Sequence, residues 1–109
     1  MITDPGLQGR GLAAAIELLG DRWVLLLVTE MMDADGARFN DLERSLHIPP
    51  NILSARLRRM VAAGVIERYP DRAGRSPHAY RLTELGRALR PALYALAEWN
   101  ELRVGKASC

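Results

Sequence analysis

Two adjacent prolines, Pro49 and Pro50, interrupt a stretch that would otherwise read as one continuous helix. Proline lacks a backbone donor, and its ring pushes the residue before it out of helical geometry, so His47-Ile48-Pro49 must form a break. Proline is well accommodated in a first helical turn, so a new helix opens directly after Pro49. It runs to Ala63 and stops at Gly64. Upstream, Asn40 is placed to cap a helix that ends at Leu46, with Asp41 and Glu43 in a first turn that favours acids. Two short helices separated by about four residues form a helix–turn–helix pattern.

The flanking segments complete an architecture. From Arg10 to Leu19, the apolar residues Leu12, Ala15, Ile16 and Leu19 make the stripe of an amphipathic helix. Gly20 ends it and Asp21 is placed to cap the next, Arg22–Met32, whose run Trp23–Val28 is apolar on all sides and predicts a buried central helix. Asp33–Gly36 is a turn, and Ala37–Phe39 is long enough for a very short strand, with Phe39 directed into the core. Val65–Tyr69 and Ala79–Leu82 are rich in β-branched and aromatic residues, and turn-forming residues fill the polar stretch between them. That is a hairpin with a long basic tip, a wing. Thr83 caps a final helix whose stripe is Leu85, Leu89, Leu93, Leu96 and Trp99, and Pro91 should kink or divide it. The expected fold is mainly α with a small β-hairpin, a winged helix–turn–helix.

With 109 residues the chain holds one domain, residues 1–109, with tails over about 1–9 and 104–109. The longest apolar run, Trp23–Val28, is far short of the ~20 residues that cross a bilayer, so no membrane partner is expected. The first residues lack the basic and apolar regions of a signal peptide, which makes the cytoplasm the expected location. Cys109 is the single cysteine, and His47 and His78 have no partner at ligand spacing, so neither a metal nor another cofactor is expected. No phosphate loop, nucleophile elbow or zinc-protease pattern is present, and catalysis is not expected.

Charge distribution points to a partner. The net charge is only +2, but residues 1–50 hold four Arg against eight acidic residues, whereas residues 56–81 hold seven Arg against two. On a helical wheel of the second helix of the motif, Leu53, Leu57 and Met60 share one face. Asn51, Ala55, Arg58, Arg59 and Ala62 lie opposite, with Ser54 and Arg56 at the edges. No acidic residue occurs from Asn51 to Ala63. A helix entering the major groove needs this composition: small residues permit close approach, Asn pairs with adenine and Arg pairs bidentately with guanine. Arg68, Arg72 and Arg75 on the wing, and Arg38 and Asn40 at the head of the preceding helix, complete the expected contacts to double-stranded DNA. A single exposed arginine is ordinarily a solvated charge; the combination carries the expectation. The alternative is a winged helix used for protein docking without DNA.

The segments Ile16-Glu-Leu-Leu-Gly-Asp-Arg-Trp, Arg38-Phe-Asn-Asp-Leu-Glu, Leu53-Ser-Ala-Arg-Leu-Arg-Arg-Met, Gly64-Val-Ile-Glu-Arg and Tyr80-Arg-Leu-Thr-Glu-Leu-Gly-Arg-Ala-Leu resemble those of the HxlR family of MarR-like bacterial winged-helix regulators. The resemblance spans roughly Arg10 to Trp99. It implies a symmetric homodimer, joined through the first and last helices, that binds operator DNA as a transcriptional regulator. A small-molecule effector is a further partner of such a regulator, with no pocket for it identified in the sequence. Many members carry a sensing cysteine ahead of the first helix; that position here is Arg10, so thiol-based sensing does not come with the resemblance.

Overall fold

The computed structural model describes residues 9–70 and 79–105. Helix α1 (Arg10–Leu19) is followed by α2 (Arg22–Met32), the short strand β1 (Ala37–Arg38), α3 (Phe39–Leu46) and α4 (Pro50–Ala62). Strands β2 (Ile66–Tyr69) and β3 (Ala79–Leu82), the single turn α5 (Glu84–Arg87) and α6 (Arg90–Arg103) complete the order. The three strands form one antiparallel sheet in the order β1-β3-β2, with Ala37 opposite Tyr80 and Ile66 opposite Leu82. Pro91 divides the last helix: Leu89 is the N-cap of α6, and the proline falls in its first turn.

The core lies where α2, α3 and α4 meet the sheet. Val24, Leu27, Val28 and Met31 of α2, Leu42 of α3, Leu53, Leu57 and Met60 of α4, and Ile66 and Leu82 of the strands are all buried. The central helix is not enclosed on every side, as its all-apolar run predicts. Leu26 is exposed, and Leu25 opens onto a groove between α1 and α6. Phe39 packs against the core while remaining half-buried.

Three junctions fix how α4 and the sheet are held. The second of two prolines starts α4, and Leu53 N–H donates to the Pro49 carbonyl at 2.9 Å. Ala63 ends that helix, and Gly64 takes φ = +78°, a conformation glycine adopts without steric cost. Thr83 then ties the sheet to the C-terminal helices: its hydroxyl donates to the Gly64 carbonyl at 2.6 Å and accepts from Gly86 N–H at 3.1 Å. At Gly86 an added Cβ would lie 2.2 Å from the Val65 carbonyl oxygen, so no larger residue fits without moving backbone.

One boundary departs from expectation. Asn40 does not cap α3; the helix starts two residues earlier, at Phe39, with Arg38 in the N-cap position and no side-chain cap. The cause is tertiary: Arg38 is held extended by pairing with Ala79, and Phe39 enters the helix while packing on the core. His47, which ends α3, has φ = +53° and ψ = +41°, a left-handed conformation unusual for a side chain with a Cβ.

Candidate nucleic-acid interface

Burial of Leu53, Leu57 and Met60 fixes the rotation of α4, so its opposite face is determined. Asn51, Arg58, Arg59 and Ala62 are exposed there, and Ser54, Ala55 and Arg56 are half-buried along its margins. Arg58 Nη1 donates to Ser54 Oγ at 3.1 Å, one turn back along the helix. Asn51, Ala55, Arg58 and Ala62 thus follow one another at spacings of four, three and four residues along one line, with Ser54 beside it.

Several other arginines are engaged elsewhere. Arg56 Nε donates to Asp21 Oδ2 at 2.7 Å, and an Arg59 guanidinium N–H donates to the Glu17 carbonyl oxygen in the last turn of α1. Arg38 Nη1 lies 3.4 Å from Asp41 Oδ2, and Arg44 Nη2 lies 2.6 Å from the other oxygen of the same carboxylate. Asn40, beside Arg38 at the head of α3, is exposed. On the wing, Arg68 is exposed on β2. Arg81 pairs with Glu67 at 2.8 Å and lies 4.5 Å from the Tyr69 ring centre, so this member of the basic block is a strand-to-strand brace. Arg72, Arg75 and His78 lie outside the described residues, as does Cys109.

Residue-type counting missed the role of Asp21. It caps α2 as expected, with Oδ1 accepting from Trp23 N–H at 2.8 Å and Val24 N–H at 3.4 Å. Its second oxygen receives Arg56, a partner 35 residues away that no local pattern reveals. Burial pushes the Asp21 carboxyl up, but the Trp23 N–H, Arg56 and Val24 N–H together outweigh it and hold the group below its ordinary value. The position of Arg56 at the edge of the wheel was the available hint.

Among the described residues no cluster of His, Cys, Asp or Glu is arranged to hold a metal ion, and no helix is long and apolar enough to cross a membrane. A helix–turn–helix followed by a two-stranded wing and packed on α2 defines a winged helix–turn–helix protein. The chain belongs to the HxlR-like helix-turn-helix family, which matches it over residues 18–107.

The HTH-type transcriptional regulator Rv3095 of Mycobacterium tuberculosis is 40% identical over 94 residues, covering 86% of this chain. The chain spans 59% of that relative's length. A MarR-family regulator of Enterococcus faecalis superposes with a TM-score of 0.79 at 29% identity, over 99% of this chain and 96% of the other. Quinone-bound YodB of Bacillus subtilis superposes with a TM-score of 0.76 at 26% identity, over 87% and 99% respectively. The relatives matched in sequence bear the description HTH-type transcriptional regulator.

Proposed function

We propose that the chain is a sequence-specific double-stranded DNA-binding regulator that acts as a homodimer on an inverted-repeat operator. One observation carries the DNA reading. The face of α4 that packing turns outward consists of Asn51, Ser54, Ala55, Arg58 and Ala62, with no carboxylate among them. Small residues let the backbone approach base edges, while Asn51 and Arg58 supply the bidentate chemistry that distinguishes adenine and guanine. Arg38, Asn40, Arg68, Arg72 and Arg75 are assigned to the phosphate backbone, where they add affinity and register but little sequence choice. A protein-docking surface would have no need of an acid-free helix beside a basic hairpin.

The homodimer reading rests on α1 and α6, which contain no buried residue despite their apolar content. Leu12, Ile16, Leu96 and Trp99 line an open apolar groove of about 620 Å³ between these helices, and a second copy would cover it. Two copies related by a twofold axis would present two α4 helices to half-sites about one helical turn apart, ~10 bp centre to centre. With Arg10 at the position where the family resemblance places a cysteine, the proposal includes no thiol switch.

Selection of bound sequences from a random duplex pool, at stated salt, tests the function. An enriched inverted repeat is expected. Absence of enrichment at low salt would overturn the DNA reading, and a footprint over one asymmetric half-site would overturn the dimer.

A further inference from the structure

Helix α4 is tied to the α1–α2 junction at two neighbouring points. Arg56 reaches the carboxylate that caps α2, and Arg59, three residues on, reaches the Glu17 carbonyl near the end of α1. The ion pair is shielded, with the Arg56 side chain 30% exposed and that of Asp21 18% exposed. Asp21 divides its two oxygens between two tasks: Oδ1 serves the amides of α2 and Oδ2 serves Arg56. Turning Arg56 toward a phosphate would break a charge-assisted bond and leave the Asp21 carboxylate without its partner near a polyanion.

We propose that the Asp21–Arg56 pair is a positioning device, setting the orientation of α4 against the α1–α2 junction, with Arg56 acting through Asp21 and not by touching DNA. The proposal rests on the DNA reading given above. It gives the Gly20-Asp21-Arg22-Trp23 junction a task beyond ending one helix and capping the next. Because α1 also lines the groove proposed to receive the second copy, the pair links the dimer contact to the aim of the reading helix.

Two substitutions isolate the pair. Asp21→Asn keeps a good N-cap oxygen but replaces the acceptor facing Arg56 with a donor. Arg56→Met keeps most of the apolar stem and removes the charge. Binding of the full chain to its selected sequence is measured by fluorescence anisotropy for wild type, both single variants and the double variant, across a salt series. Each single variant is expected to bind about 3- to 10-fold more weakly, with the double variant no worse than either. The slope of log affinity against log salt is expected to stay at the wild-type value, because no phosphate contact is lost.

If Arg56 is instead a phosphate contact, Asp21→Asn will bind as well as wild type or better. Arg56→Met will then flatten the slope by about 0.9. Either result overturns the positioning role, as do additive losses in the double variant. A wild-type chain that selects no sequence at all defeats the DNA reading itself and takes the positioning role with it. Proton exchange at Arg56 Nε–H, slow in wild type and fast in Asp21→Asn, tests the ion pair without DNA; fast exchange in wild type overturns the proposal.

Discussion

Trp99 offers a direct test of the proposed association of two copies. Its side chain is 59% exposed on α6 and lines the apolar groove with Leu12, Ile16 and Leu96. A tryptophan presents up to ~250 Å² of burial, so roughly 150 Å² remains open here, worth up to about 3.7 kcal/mol per copy at ~25 cal/mol per Å². A twofold interface uses the residue twice, which doubles the ceiling to about 7 kcal/mol. Side-chain ordering and incomplete coverage reduce it; at half coverage about 3.5 kcal/mol remains, a shift of roughly 300-fold in the dimer dissociation constant. Trp99→Ala should therefore weaken the dimer by two to three orders of magnitude in sedimentation equilibrium. Because Trp99 lies outside the core cluster, the separated protomer should keep its helical circular dichroism. Leu57→Ala, at a fully packed position, should instead destabilise the protomer by about 2–5 kcal/mol. A Trp99→Ala dissociation constant within about threefold of wild type would refute the interface, as would a wild type that stays monomeric at ~100 μM.

Three further outcomes follow from the geometry. Arg58→Ala should cost about 1–3 kcal/mol on the selected sequence and relax one base position, whereas Arg68→Ala should weaken all sequences alike and flatten the salt slope; identical behaviour of the two would refute the division of roles. His47→Gly removes a left-handed penalty of about 1–2 kcal/mol but adds unfolded-chain entropy of about 0.4–1 kcal/mol, so denaturant unfolding should show a gain of up to about 1.6 kcal/mol. Asp21, whose folded pKa is depressed, contributes stability that is complete above the ordinary carboxylate range near pH 4 and lost as pH falls through the folded value. The melting-temperature gap between wild type and Asp21→Asn should accordingly narrow from pH 6 to pH 3, and a gap that widens over that interval would contradict the sign of the shift.

What was legible in the sequence was mostly what local chemistry decides. The double proline places the start of α4, Gly64 its end and Thr83 the turn into α5, each through hydrogen bonds within a few residues or a backbone conformation. The rotation of α4 was legible too, because three buried residues at helical spacing leave one solution for the outer face. The start of α3 was not: pairing of Arg38 with Ala79, more than 40 residues downstream, overrides the capping preference of Asn40. The groove-facing side of α2 was missed for a related reason. An all-apolar run gives no phase, so it could not be told that Leu25 and Leu26 turn away from the core.

The arginines show the same division in functional terms. Counted along the chain, the block from Arg56 to Arg81 is a single basic stretch, yet its members are put to different uses. Arg81 braces β2 against β3 through Glu67, Arg56 answers the cap of α2, and Arg59 reaches the end of α1. Arg58 remains on the outward face with Asn51, Ser54 and Ala55, bonded among the described residues to Ser54, one turn back along its own helix. A charge that is already paired gives little further attraction to a polyanion, because neutralising it a second time displaces a partner of comparable strength. Among the described residues the electrostatic footprint is therefore narrower than composition suggests, and on α4 it is concentrated where packing has already turned the helix outward. That concentration is what a sequence reader requires: long-range charge brings the helix to the groove, and a small number of correctly aimed donors decide where it stays.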